Sequence, residues 1–486
     1  MSKEPSPAAP RAWLARSLLW TVFAGALGEA LLLHNDRHPP LSWLWFEVAL
    51  VALGLATLFP FDKVPPLARL DRFGEEPLLA VATLALILQI WQLATANTSW
   101  SIKPGSPISS VLALGAVGCG GLALLGLSRG SPLGRLRFPL LIAAHAAIGL
   151  YVVSVTPNPW IDVYQFHDLS IRDLLHGRSP YGRPTPNMYR GLPFYGPAVL
   201  SADGSQVKIG FPYPPLQLLL ALPGQLITGD YRTVQALALT ASGLLMALAR
   251  PGRIAAAAAA LFLLTPRLFF TLEGSWTEPM VCLFLSLSLF CSLRAPRLLP
   301  WAFGGFLAIK QYGVLLAPVA VFLLPAGQRS WRELERLLLR AGLLAAAISL
   351  PFFLWTPQGF VDDVLLFQVR QPFRGDSLSL AALLFQRSHT VLPQALGFGA
   401  FAIALALGAW RSARDAGAFA ACGALAFAAF FALGKQAFAN YYLLVLALGC
   451  WALALSGPEA SPLSEDAPPR NAATAAQIAG AVTQAA

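Results

Sequence analysis

Apolar stretches of about twenty residues recur along the chain, from SLLWTVFAGALGEALLLH near its start to NYYLLVLALGCWALAL near residue 455. At about 1.5 Å of rise per residue, each makes a helix long enough to cross the roughly 30 Å hydrocarbon layer of a bilayer. Inside that layer every backbone N–H and C=O must be paired within the chain, which a helix does by itself. Composition agrees, with 56% of the residues hydrophobic, 12% charged and a mean hydropathy of +0.60. A soluble globule is excluded. The expected fold class is all-α, a polytopic transmembrane helical bundle.

The formal charge of +10 does not point to nucleic acid. Lys and Arg stand at the ends of apolar runs, where they set topology and meet anionic lipid head groups, and no basic stripe interleaved with aromatics appears. The five cysteines, Cys119, Cys282, Cys291, Cys422 and Cys450, all lie inside apolar runs without C-x-x-C spacing. They read as small buried hydrophobes, and neither a disulfide framework nor a metal centre is expected from them.

Spans are expected at about 17–34, 41–60, 77–97, 108–128 and 138–156. The basic start, with Arg11 and Arg16, lacks an A-x-A-type cleavage site and reads as a first span with its N-terminus in the cytoplasm. The joints alternate: Lys63, Arg69 and Arg72, then only Lys103, then Arg129, Arg135 and Arg137. By the positive-inside rule the chain leaves the fifth span on the extracytoplasmic face of the cell (inner or plasma) membrane. The only long polar segment, Trp160 to Pro215, therefore faces outward.

Within it, Val163 to His176 is expected as an interfacial helix. Val163, Phe166, Ile171 and Leu174 share one arc, Asp168 and Arg172 lie elsewhere, and Gly177 stops it. Asp162 precedes the helix with Gln165 three residues on, a capping-box spacing. Residues 183–210 show no helical period and read as an ordered, aromatic-lined loop that could cover a site. Tyr181, Tyr195 and Tyr213 could stack on a sugar or simply anchor at the interface.

Further spans are expected at about 211–228, 233–249, 254–272, 277–294, 337–356, 391–410, 416–434 and 440–456. Simple alternation would put Arg250 and Arg253 outside and Glu273 to Glu278 inside, so one segment must be short or re-entrant. A second non-spanning hairpin around Lys310 would return QRSWRELER (328–336) to the cytoplasm. Lys310 lies mid-run, where a charge has to pair or line a polar cavity. With such hairpins the bundle has roughly 12–14 membrane segments.

Asp162-x-Tyr164, then Leu174-Leu175-x-Gly177-x-Ser179-Pro180-Tyr181, then Tyr213-Pro214-Pro215-Leu216 resembles the outer loop of the GT-C superfamily of polyprenyl-phosphate-sugar-dependent glycosyltransferases. The nearest group is its α-mannosyltransferase-like family, GT87. Gly305 to Pro318 resembles that group's Lys-containing hairpin, and Lys435-x-x-Phe438-x-Asn440-Tyr441 its approach to a final span. The resemblance covers roughly 136–456, with the outer loop at 157–212. It leaves 1–135 as a four-span extension and 457–486 as a tail expected to be disordered.

The resemblance implies transfer of a hexose, with mannose the leading candidate, from a polyprenyl-phosphate donor to a lipid- or glycan-linked hydroxyl, with inversion. Asp162 matches the proposed base. One carboxylate suffices, because phosphate is already a good leaving group. Asp168 is the runner-up, or a partner for Arg172. His167 could donate to the lipid phosphate or simply pack. Arg370 and Arg374, four apart, would share a helical face and hold the phosphate with Lys435. Tyr164, Tyr181, Tyr213, Glu273, Glu278, Lys310 and Tyr441 are candidate substrate contacts. No cofactor is called for, and Asp362-Asp363 is too weak a signal for a metal. Expected partners are the bilayer, the polyprenyl-phosphate sugar and the acceptor. A flippase for lipid-linked sugars and a non-catalytic membrane scaffold remain open as alternatives.

Overall fold

The computed structural model describes residues 12–34, 39–95, several positions between 107 and 118, and 134–457. Most of the expected 108–128 span, Cys119 and the C-terminal tail lie outside the described residues.

The described chain is mostly helical. Six helices are long and apolar enough to cross a membrane: α1 Trp13–His34, α2 Pro40–Leu58, α3 Glu76–Thr95, α4 Gly134–Val155, α7 Arg232–Ala249 and α12 Trp331–Trp355. The protein is thus a multi-pass membrane protein. Between them lie the polar-face helix α5 Asp162–Leu175 and α6 Pro215–Thr228. Then come α8 Arg253–Leu263, α9 Pro266–Glu273, α10 Glu278–Arg294 and α11 Leu299–Ile309, and, after α12, α13 Leu380–Ser388, α14 Ala395–Arg411, α15 Ala416–Ala432 and α16 Ala439–Ala454.

One continuous apolar core joins the first helices to the last ones. Helix α1 packs along α2 and against α16. Their approach depends on Gly449, where a Cβ would run into the Phe23 ring. The free cysteines Cys282, Cys291, Cys422 and Cys450 are buried, as their apolar settings imply.

Two breaks interrupt the helical ladder. The expected 254–272 span is split: α8 and α9 meet at 47° around Leu264 and Thr265. Pro266 lacks the N–H that would continue the first helix and takes the opening turn of the second, where that donor is not needed. The second break falls at Lys310, whose extended backbone (φ −156°, ψ 146°) separates α11 from a long 3-10 segment, Gln311–Leu323.

Three local expectations need correcting. The 337–356 span begins earlier, at Trp331, because Ser330 caps it by accepting the Glu333 N–H, so most of QRSWRELER is helix and not connection. The 183–210 loop carries a small antiparallel pairing, Thr185–Pro186 with Gln206–Val207. At α5, Ile161 occupies the cap position in extended conformation and Asp162 is the first helical residue, so the Asp162–Gln165 capping box does not form. The α5 arc otherwise buries Val163, Phe166 and Ile171 as expected, Leu174 only partly, and Asp168 pairs with Arg172 at 2.8 Å on the outer face.

Asp363 ties the two outer loops together. Its Oδ2 accepts the Gly182 N–H (2.7 Å) and the Gly210 N–H (3.0 Å). Gly182 sits at φ +73°, and a Cβ at Gly210 would strike the Pro180 carbonyl, so neither position accommodates a side chain. Burial pushes the Asp363 carboxyl up to about 7 despite these two amides.

Candidate functional site

A cavity of about 830 Å³ lies where the start of α5, the 189–213 loop, the Lys310 break, the 367–376 segment and the start of α16 converge. Its wall is largely apolar, with a small number of polar groups facing inward, the usual makeup of a site that takes an amphiphilic ligand.

Asp162 stands in that wall. Its Oδ2 accepts a 2.6 Å hydrogen bond from the Tyr195 hydroxyl, while the Asp162 N–H donates to the Tyr189 hydroxyl at 3.0 Å. Desolvation raises the Asp162 carboxyl above the ordinary aspartate range. The Tyr195 bond, the Val163 amide and the positive charge of Arg374 oppose that rise. The Tyr195 phenol is pushed far up by burial and by the Asp162 charge, so it remains a donor.

Arg374 also lines the cavity. Its guanidinium lies between the rings of Phe194 (4.4 Å) and Phe438 (4.9 Å) and bonds both oxygens of Asp376, at 2.7 and 2.5 Å. Lys435 lines the wall as well, donating to the Val369 and Gln371 carbonyls at 2.9 and 2.8 Å. Half-burial among neutral partners lowers its pKa to about 8. Both cations are held by the backbone bond from the Arg374 N–H to the Lys435 carbonyl, 2.9 Å.

Lys310 is a buried cation. It is ion-paired to the fully buried Glu278, donates to Thr277 Oγ1 at 2.8 Å, and is ringed by Tyr213, Tyr312 and Tyr441 at 5.5, 5.3 and 5.4 Å. Tyr213, Lys310 and Tyr441 all face the cavity. Among the described residues no group of three or more Asp, Glu, His or Cys could hold a metal ion.

Other expected contacts lie elsewhere. Arg370 ends its helix before Pro372 and pairs with Asp362 at 3.2 Å on the surface, so it shares no face with Arg374 and does not reach the cavity. His167 is fully buried, stacked on Tyr231 at 4.7 Å with Nδ1 at 2.8 Å from the Val163 carbonyl. Burial lowers its pKa to about 4, so it packs as a neutral ring and cannot serve as a phosphate cation. Tyr164 stacks on the other side, against Tyr231 and Arg232, and donates to Asn158. Tyr181 is buried under the loop and donates to the Tyr213 carbonyl. Glu273 and Glu278 are both buried outside the cavity wall, and Glu278 is committed to Lys310. Asp168 is taken by Arg172.

Sequence reasoning missed Asp376, Arg267 and Asn440 as cavity residues. Arg267 follows Pro266 at the break between α8 and α9, and its Nε donates to the Leu31 carbonyl at 3.0 Å. A charge directly after a helix-breaking proline in an apolar run was the available signal. Tyr195 stood out only as a stacking ring, whereas its hydroxyl serves Asp162.

Compared with protein families, curated proteins and solved structures, the chain shows no match.

Proposed function

We propose that the protein is a membrane glycosyltransferase that moves a hexose, with mannose the leading candidate, from a polyprenyl-phosphate donor to a lipid- or glycan-linked hydroxyl. The observation that carries this reading is the joint presence, in one largely apolar cavity, of the Asp162 carboxylate and the cations Arg374 and Lys435. In the proposed reaction the acceptor O–H gives its proton to Asp162 as the acceptor oxygen bonds to the sugar's anomeric carbon from the face opposite the phosphate. The bond from that carbon to the phosphate oxygen breaks, and the phosphate leaves with the electron pair. A raised Asp162 pKa strengthens it as a base. Lys435, whose ammonium has only carbonyl partners, is the cation best suited to the leaving phosphate. The apolar wall suits the polyprenyl chain.

On this reading the cavity opens to the extracytoplasmic face of the cell membrane, the N-terminus is cytoplasmic, and the shorter helices and broken pairs bring the membrane segments to roughly 12–14. Residues 1–135 form an N-terminal extension to a GT-C-like core at 136–456.

A second reading, a flippase for lipid-linked sugars, is favoured by the two helix breaks that bring Arg267 and Lys310 to the same cavity.

Sugar transfer by the purified chain in nanodiscs, from radiolabelled polyprenyl-phosphate-mannose to a membrane lipid extract, tests the proposal. Asp162→Asn should lower transfer by about 10²-fold or more with the fold intact. Undiminished transfer by Asp162→Asn removes Asp162 as the base. Absence of transfer with movement of labelled lipid across the bilayer favours the flippase.

A further inference from the structure

Asn440 is a buried side-chain amide in the cavity wall with no hydrogen-bond partner among the described residues. It is the second residue of α16, only 6% exposed, and its Oδ1 is sealed from solvent and unpaired. This is costly. A buried amide oxygen without a partner gives up its hydrogen bonds to water and receives none in return, a loss that an apolar side chain of similar shape avoids.

Nothing in the packing requires an amide there. The neighbours of Asn440 in the chain, Ala439 and Tyr441, are apolar or aromatic, and the rest of α16 is built of apolar and aromatic residues. Further along α16, Tyr442 donates to the Leu378 carbonyl and the Trp451 indole to Ser286, so neither serves Asn440. The helix also begins at the cavity, with Lys435, Ala439, Asn440 and Tyr441 all in its wall. An unpaired amide kept at such a place is stored binding capacity, satisfied when a ligand supplies the missing partner.

We infer that Asn440 forms a saccharide subsite, in which its amide exchanges hydrogen bonds with hydroxyl groups of a bound sugar. An amide both donates and accepts, as does a hydroxyl, so one or two sugar hydroxyls satisfy both ends. A phosphate offers acceptors only and would leave Oδ1 unpaired. The inference rests on the transferase reading and deepens it: the sugar head of the ligand lies at the start of α16, with Tyr441 and Trp276 also in the wall to offer ring faces.

The test uses the full chain in nanodiscs and compares wild type with Asn440→Leu, similar in size without the polar ends. Asn440→Ala keeps the comparison open if leucine does not fit. Thermal unfolding is followed without ligand and in titrations with three probes: polyprenyl-phosphate-mannose, sugar-free polyprenyl phosphate and an alkyl mannoside. The expected result has two parts. Asn440→Leu unfolds at a higher temperature than wild type when empty, and its affinity for the sugar-bearing probes falls about tenfold while that for sugar-free polyprenyl phosphate does not change. Loss against polyprenyl-phosphate-mannose alone assigns the subsite to the donor sugar, and loss against the mannoside as well assigns it to the acceptor.

A lower unfolding temperature for both empty variants makes Asn440 a structural amide and overturns the inference. Retention of the sugar-dependent affinity overturns it as well, and leaves the transferase reading standing. Failure of wild type to bind any sugar-bearing probe removes the subsite and the transferase reading together.

Discussion

The Tyr195 hydroxyl donates a 2.6 Å hydrogen bond to Asp162 Oδ2 across 33 residues of chain. The bond fixes one carboxylate oxygen. It stabilises the charged form that burial disfavours.

Removing that hydroxyl should therefore move the pH profile of transfer. In Tyr195→Phe the Asp162 pKa rises further, because a contact that favours the carboxylate is lost while desolvation stays. Activity that needs the ionised base is present above this pKa and lost as pH falls through it, so the acidic limb should move to higher pH. A kcat/KM profile in nanodiscs checks this; an unchanged limb would show that Tyr195 only packs.

The alkaline limb should belong to Lys435. Its ammonium, with a pKa near 8, binds an anion below that pH and loses its charge above it. Anionic-lipid affinity should fall as pH rises past 8 in wild type and persist in Lys435→Arg, whose guanidinium does not titrate there. Equilibrium binding of polyprenyl phosphate at pH 7 and pH 9 distinguishes them.

Arg370 and Arg374 should separate cleanly. Arg370 makes a half-exposed pair with Asp362, worth at most about 1 kcal/mol, so Arg370→Ala should leave stability and transfer close to wild type. Arg374→Ala removes a guanidinium from the cavity and leaves Asp376 without those two bonds, and transfer should drop about tenfold or more. Parallel initial-rate assays settle the contrast.

Lys310→Met leaves Glu278 as a buried carboxylate without its cation, a change that costs about 3–5 kcal/mol. Adding Glu278→Met removes the stranded charge and should restore most of that loss. Denaturant unfolding of the two singles and the double measures the coupling; additive losses would mean the pair is not a unit.

Asp363 gives a stability prediction of opposite chemistry. Its folded pKa of about 7 exceeds the ordinary aspartate value, so between about 4 and 7 the folded state binds the extra proton. Its contribution thus falls as pH rises through that window. Asp363→Asn, which can still accept both glycine amides, should flatten the dependence, whereas Asp363→Leu strands two N–H groups and should cost about 2–4 kcal/mol. Melting temperatures across pH 4 to 8 test both.

Length and hydropathy alone determined the helical, multi-pass class, the ends of most apolar helices to within a few residues, and the polar segment beside which the cavity forms. These depend on local periodicity and on the demand that lipid-buried backbone be paired, and both are written in neighbouring residues. The same logic found the Asp168–Arg172 pair and the buried arc of α5. It pointed to Lys310, because a charge inside an apolar run is conspicuous, whereas Asp162 and Lys435 were singled out by the family resemblance.

Which of these groups meet was decided by tertiary structure. Arg370 and Arg374 look equivalent at a spacing of four, yet a turn at Pro372 leaves one on the surface and puts the other between Phe194 and Phe438. Glu278 and Lys310 are 32 residues apart, and only the packing of α10 against α11 joins them. His167, Tyr164 and Tyr181 had site-like chemistry but were drawn into the aromatic packing beneath the loop. Partner choice across such distances depends on how helices cross and where they break, and no local pattern of residue types encodes it.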